Sequence, residues 1–319
     1  MRITGPLAAL LGVVGVVGTG FALVPPVAPA APASVPAKCA GSRVDRPVIV
    51  KATDFMMGST RHYAEEGPSV RVSVTRFDID AHEVTNRQYA AFAAATGYVT
   101  EAERPGGGAF VFSPPATPVE APDPRLWWRY VKGANWRHPA GPDSDIAGRD
   151  DDPVVNVTYA DALAYARWAG RALPSEEQFE AAARAGGAGE EGPVPGTANI
   201  WQGGFPDTNE QRDGFYGRAP AGCFKPDADG AYDLIGNVWE WTGSWYLPTH
   251  GPIVTGDGTP GNPSFDPAQP DARVRVIKGG SFLCAANYCA RYRPAARHAQ
   301  DETLAASHLG FRTVSTSGE

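Results

Sequence analysis

The sequence predicts an irregular, loop-rich α+β domain, and three observations predict it. Glycine (37) and proline (30) punctuate the 319-residue chain too often for a bundle of long helices. Hydrophobic residues make up 43 %, enough for a sizeable core. Short stretches of period two and short stretches of helical period share the chain, with no internal repeat and no linker dividing the part beyond the first few dozen residues.

Arg2 precedes an apolar run from Leu7 to Val24, broken only by glycines and Thr19, and small residues and prolines follow from Pro25 to Ala33. This is the layout of a secretory signal peptide, with an uncleaved membrane anchor on a Pro/Ala-rich linker as the alternative. Residues 1–37 are therefore set apart from a single domain, 38–319. Export (periplasmic, secreted or membrane-anchored) is expected; a misassigned start codon would leave the protein cytoplasmic.

Val48 to Met57 and Val70 to Ile79 read as strands across a polar turn, Val70, Val72 and Val74 alternating with Arg71, Ser73 and Thr75. Thr85 to Ala95 reads as an amphipathic helix, with Thr85 its N-cap and Tyr89 and Phe92 on one face. Residues 104–126 hold many prolines and glycines without a period and read as a long surface loop. Tyr159 to Gly170 is the clearest helix: Leu163, Ala166 and Ala169 recur at helical spacing, and Gly170 stops it. Pro174-Ser175-Glu176-Glu177 opens a second, short helix, where proline and acids suit the first turn. From Gly186 onward, Gly- and aromatic-rich loops dominate. Asn156-Val157-Thr158 fits a glycosylation sequon.

The net charge of −7 argues against a nucleic-acid partner, which would call for a basic face. Of the four cysteines, Cys39 and Cys223 are isolated, and an oxidising compartment would allow them to pair. Cys284 and Cys289 are five positions apart, and a turn would bring both to one ion. Two thiolates without a nearby histidine or carboxylate suit Cu(I) better than zinc, which normally takes four protein ligands. On spacing alone, a disulfide or two ordinary buried cysteines account for the pair equally well.

The surrounding run is Lys278-Gly279-Gly280-Ser281-Phe282-Leu283-Cys284-Ala285-Ala286-Asn287-Tyr288-Cys289-Ala290-Arg291-Tyr292-Arg293. It resembles the active-site segment of the formylglycine-generating enzymes, or sulfatase-modifying factors. The likeness extends in order through Thr96–Glu103, Trp127-Trp128 with Val131–Pro139, Asn199–Gly203, Gly236-Asn237-Val238-Trp239-Glu240-Trp241 and Leu309–Arg312, and covers roughly Val48 to Val314. Gly-Asn-Val-Trp-Glu-Trp marks a broad superfamily; the paired cysteines before Arg291-Tyr292-Arg293 are far more specific.

The resemblance implies an irregular C-type-lectin-like fold. It implies Cu(I) on Cys284 and Cys289, with a substrate cysteine as third sulfur ligand. Dioxygen and a thiol reductant would then convert that cysteine to Cα-formylglycine through a thioaldehyde that hydrolyses. Ser281 would position substrate or oxygen, unless it is a β-turn serine. Arg291 and Arg293 would favour thiolate formation or serve as ion-pair partners. Two Ca²⁺ sites follow from the same likeness: Asn199, the Ile200 carbonyl, Asp213 and the Phe215 carbonyl in one; Asp233, the Gly236 and Val238 carbonyls and Glu240 in the other. Both are oxygen sets, as a hard cation requires; without the likeness Asp213 and Asp233 read as turn-capping aspartates. The implied partner is an unfolded sulfatase-type polypeptide carrying a Cys-x-Pro-x-Arg-like motif, met by a monomer. Aromatic residues near Trp127-Trp128 and Gly236–Trp241 would line its groove.

The chain departs from the family at His308, where asparagine is usual, at His298-Ala299-Gln300-Asp301, in the shortened stretch 186–197 and at Glu177-Gln178-Phe179-Glu180. These changes touch the groove and not the cysteines. The competing readings are an exported, calcium-stabilised polypeptide- or partner-binding relative without activity, and an iron-dependent sulfoxide synthase. The six histidines form no His-x₃-His-x-Glu set, which counts against the second.

Overall fold

A computed structural model describes residues 39, 45–115, 117, 123–193, 197–250 and 263–315. The expected leader and Pro/Ala-rich linker lie outside the described residues. Among those residues, no helix is long and apolar enough to cross a membrane.

The two N-terminal runs are strands, as expected, but each breaks in two. β1 (Val48–Val50) and β2 (Thr53–Met57) part at Lys51-Ala52; β3 (Val70–Val74) and β4 (Phe77–Ile79) part at Thr75-Arg76. β2 and β3 form an antiparallel ribbon in the register Thr53↔Val74 to Met57↔Val70. β1 pairs with β4, and β4 with the C-terminal β11 (Val314–Ser315), so both ends of the domain share a three-stranded sheet.

Three helices follow their caps. α1 (Asn86–Thr96) starts at Thr85, whose hydroxyl accepts from Gln88 N while Gln88 bonds back to Thr85 N. α2 (Tyr159–Trp168) and α3 (Glu176–Ala185) start with the same reciprocal pairing, at Thr158/Asp161 and Ser175/Gln178. Gly170, at φ +68°, follows the end of α2, a left-handed conformation that favours glycine. Thr158 is buried, and its hydroxyl satisfies an orphan amide of α2. Thr158→Ala should therefore cost about 1–2 kcal/mol, read as a lower urea midpoint at unchanged slope.

The expected loop over 104–126 contains a strand. β5 (Gly108–Phe112) pairs with β6 (Trp128–Lys132) from Gly108↔Lys132 to Phe112↔Trp128. The C-terminal half also holds more than loops. β7 (Trp239–Trp245), β8 (Val274–Lys278), β9 (Arg297–Asp301) and β10 (Leu309–Gly310) make a four-stranded sheet in the order β10-β7-β8-β9, with β10 parallel to β7. Period two fails to mark these strands because β8 is buried at every position, Arg275 and Lys278 included, while β9 is polar almost throughout.

The main core joins α1, α2 and the sheet: Tyr89, Phe92, Trp136, Tyr165, Trp241 and Phe311 pack there with Cys284 at one margin. A second core lies under α3, where Phe179 meets Val50, Phe77 and Ile79. Buried ion pairs tie the layers. Arg293 engages Glu66 through two hydrogen bonds (2.8 and 2.5 Å), Arg297 engages Glu176 (2.7 and 2.9 Å), and Lys278 reaches Glu180 at 3.0 Å. Cys39 and Cys223 are joined as a disulfide beside Ala219 and Phe224. The sequon is closed to modification in the fold: Asn156 is fully buried and its amide donates to the Asn135 and Pro139 carbonyls.

Candidate active site

The cysteine turn is built by backbone bonds. Cys284 N donates to Ser281 O (2.9 Å), and Tyr288 N and Cys289 N both donate to Ala285 O (3.1 and 2.9 Å). This single turn of helix-like chain brings the Cys284 and Cys289 sulfurs to 3.1 Å. Neither is in a disulfide. The turn is sewn to its surroundings by Phe282 N→Asn237 O (2.8 Å) and Trp201 N→Cys284 O (3.0 Å). Gly280 at its entrance has φ +78°, and a Cβ there would lie 2.7 Å from Arg291 O, so no other residue fits.

The pair faces a cleft of about 510 Å³. Phe110, Trp128, Phe205, Trp239 and Tyr288 form its aromatic walls; Arg291, Gln269, Gln300, Ser281, His298 and His308 supply its polar groups. Trp128 from the Trp127-Trp128 motif and Trp239 from the Gly-Asn-Val-Trp motif thus reach the cleft, while Trp136 and Trp241 are core. Tyr288 stacks on Phe205 at 4.4 Å.

The two thiols differ. Burial pushes the Cys284 thiol up, and its hydrogen bond to Cys289 pushes it further. The Cys289 thiol is lowered to about 6, first by that hydrogen bond and then, against the cost of burial, by the charge and hydrogen bonds of Arg291. A pair that shares one proton this closely titrates as a unit. Arg291 is itself held by Glu65 (3.1 and 2.5 Å) and lies 3.9 Å over the Tyr63 ring. It therefore fills both expected roles, ion-pair partner and thiolate stabiliser, whereas Arg293 is a buried partner of Glu66. Ser281 is buried, its Oγ accepts from Leu283 N at 3.3 Å, and it lines the cleft beside the cysteines. As a donor set, two soft sulfurs at 3.1 Å fit a Cu(I) ion.

The residues of the two expected calcium sites lie in adjoining loops. Asn199 is buried, and its Nδ2 donates to Gly217 O (2.9 Å) and Asn237 Oδ1 (3.0 Å), which leaves its oxygen for a cation. Asp213 is buried and its Oδ1 accepts from Phe215 N at 2.9 Å. In the second set, Asp233 accepts from Gly222 N (2.7 Å) and Glu240 takes both its oxygens to Arg312 (2.7 Å each). Glu83, which the sequence reading missed, completes a group of three buried carboxylates with Asp233 and Glu240 around this one guanidinium. Burial first, and mutual repulsion next, raise the Glu83 carboxyl. The oxygen donors of the first set fit a hard cation, whereas in the second Arg312 already engages both Glu240 oxygens, so a cation there would have to share them. No three His, Cys, Asp or Glu side chains among the described residues converge as a metal cluster, so a cation at either place would draw on carbonyls, as the likeness implied.

Asn237 was also missed as a functional residue. At φ +56° it donates to Glu83 Oε1 (3.0 Å) and accepts from Asn199 Nδ2 and Ala219 N (3.0 Å each). It joins both loop sets to the cysteine turn, and its place in Gly-Asn-Val-Trp was the signal available for it.

A family model described as the sulfatase-modifying factor enzyme 1-like domain matches residues 32–317. The chain belongs to this family. Within it, the chain is 47 % identical over 283 residues to the formylglycine-generating enzyme of Mycobacterium tuberculosis, an overlap covering 82 % of this chain and 94 % of that one. It is 36 % identical over 312 residues to the inactive Cα-formylglycine-generating enzyme 2 of Mus musculus, covering 93 % and 94 %. Among solved structures, PvdO from Pseudomonas aeruginosa superposes with a TM-score of 0.56 at 24 % identity, over 84 % of this chain and 93 % of that one, a likeness of fold alone.

Proposed function

We propose that this member of the sulfatase-modifying factor family converts a cysteine of a sulfatase-type polypeptide to Cα-formylglycine, using O₂, a thiol reductant and Cu(I) on Cys284 and Cys289. The observation that carries the reading is the pair of free sulfurs at 3.1 Å facing an aromatic cleft. An ion bound there would supply the one-electron and dioxygen chemistry that a thiol does not undergo alone. The chain's residues supply the rest. Arg291 and the Cys284 hydrogen bond favour Cys289 thiolate near neutrality. Trp128, Trp239, Phe205 and Tyr288 offer flat apolar surface to an extended segment and exclude water around the sulfurs. Ser281 stands beside them as a positioning group. Calcium on the Asn199/Asp213 and Asp233/Glu240 loops would brace the wall through Asn237.

The substrate must reach the cleft unfolded, which fits action during or soon after export; the Cys39–Cys223 disulfide supports an oxidising compartment. The likeness to an inactive relative favours one rival, a polypeptide-binding member without turnover. The deciding experiment loads the protein with Cu(I) and follows the mass of a Cys-x-Pro-x-Arg peptide under oxygen with a thiol reductant. Loss of the thiol sulfur with gain of an aldehyde is expected. Copper binding with no conversion of this or any cysteine peptide would sink the oxidase and leave the binding module.

A further inference from the structure

The cleft wall carries an imidazole with a fixed tautomer and an acceptor nitrogen that no described residue fills. His298 Nδ1 lies 2.7 Å from the Ala299 carbonyl. A carbonyl only accepts, so Nδ1 holds the hydrogen and Nε2 keeps the lone pair in the neutral ring. The side chain lines the cleft that holds Cys284 and Cys289, and no described residue bonds to Nε2.

Every substrate of the proposed reaction must bring one donor to this cleft, its own S–H. That thiol has an ordinary pKa of about 8.5, so near neutrality its proton has to be taken by a base. Few groups in the cleft qualify. Arg291 stays protonated, Gln269 and Gln300 are not basic, and the Tyr288 phenol is pushed up by burial. His308 lines the cleft against the Trp128 ring, but burial, then the nearby His298, lowers it to about 3.

We propose that His298 Nε2 accepts the proton of the target cysteine's thiol, a role that rests on the oxidase reading. The S–H bond breaks with its electron pair left on sulfur, an Nε2–H bond forms, and the imidazolium returns the proton to solvent. The charged and titratable groups whose fields reach this ring are Arg291 from the cysteine turn, Glu65 from the 64–66 turn, Asp266 ahead of β8 and His308 ahead of β10, and the Trp239 ring lies 6.0 Å away. Enclosure and then Arg291 lower the imidazole; the Ala299 hydrogen bond, Glu65 and Asp266 oppose them.

The test has one arm without turnover. Metal-free protein with ¹⁵N-labelled histidine is titrated with a cysteine peptide and with the same peptide carrying α-aminobutyrate, which lacks the donor. The His298 Nε2 resonance should move with the first and not with the second. In the copper-loaded enzyme, kcat/KM of His298→Ala at neutral pH should fall about 100-fold. Its acid limb should shift toward the thiol's own value, and added imidazole should restore the rate. An Nε2 resonance that ignores a bound cysteine peptide, or a variant profile lowered uniformly across pH, overturns the assignment. A wild type that shows the shift but converts nothing sinks the oxidase reading while sustaining the hydrogen bond; failure to bind either peptide overturns both.

Discussion

Cys289→Ser is expected to leave the fold in place, remove Cu(I) binding and lower peptide conversion by about three orders of magnitude or more. The backbone bonds of the turn do not depend on the sulfur, and Cys289 is only partly buried, so serine fits sterically. A hydroxyl is a hard, weakly acidic donor, and Cu(I) prefers soft sulfur. The substitution also strips Cys284 of its hydrogen-bond partner, leaving one high-pKa thiol in a buried place. Competition against a Cu(I) chelator, peptide mass and a melting curve read the three effects separately. Conversion retained at the wild-type rate would refute the two-sulfur site. Cys284→Ser should match it in activity but unfold more readily, because Cys284 packs into the main core.

Arg312→Met should be the most destabilising single change away from the cysteines, by about 3–5 kcal/mol. Arg312 is fully buried and donates to both Glu240 oxygens and to the Tyr232 carbonyl at 3.0 Å. Methionine fills comparable space but leaves Glu83, Asp233 and Glu240 without their guanidinium. The pH dependence has a definite sign. Burial raises all three carboxyls in the native protein, so the native state holds protons that the unfolded chain has released. Stability of the variant should therefore rise as pH falls from neutrality, and level off near the unfolded carboxylate values of about 4. Elsewhere Glu176 runs the other way: Arg297 foremost, then His250 and Lys278, outweigh burial and hold it far below the ordinary range. Its contribution is lost as pH falls. Urea unfolding across pH 4.5–8 would show the rescue; a variant less stable at pH 5 than at pH 7 would contradict it.

Legibility in the sequence followed the range of the interactions. Caps and helix stops are local, and Thr85, the first-turn acids Glu176 and Glu177 and Gly170 announced them within a few residues, although the cap of α3 is Ser175 and Pro174 lies ahead of the first turn. The cysteine turn was legible for the same reason, its partners being at most five apart. The strands β7 to β9 were not, because alternation marks a sheet with one wet face and β8 has none. β5 was hidden by the prolines that follow it, although Phe110 and Phe112 alternate with smaller residues. Arg291 and Arg293 look alike in sequence; only Glu65 and Glu66, more than two hundred residues earlier, separate their roles. The same distance hid Glu83, which meets Asn237 at a separation of 154.

Those separations also govern how the molecule comes to exist. Arg291 and Arg293 meet Glu65 and Glu66 across 226 and 227 residues, and Arg297 meets Glu65 O across 232. Closing so wide a loop costs entropy before any contact repays it, and a topology dominated by such contacts folds slowly. During synthesis, Glu65 and Glu66 emerge long before their arginines and wait as solvated carboxylates. The sulfur pair gains its electrostatic setting only when the C-terminal quarter has left the ribosome. A nascent chain halted before Arg291 would carry Cys284 and Cys289 as ordinary thiols, so the site is assembled last and all at once.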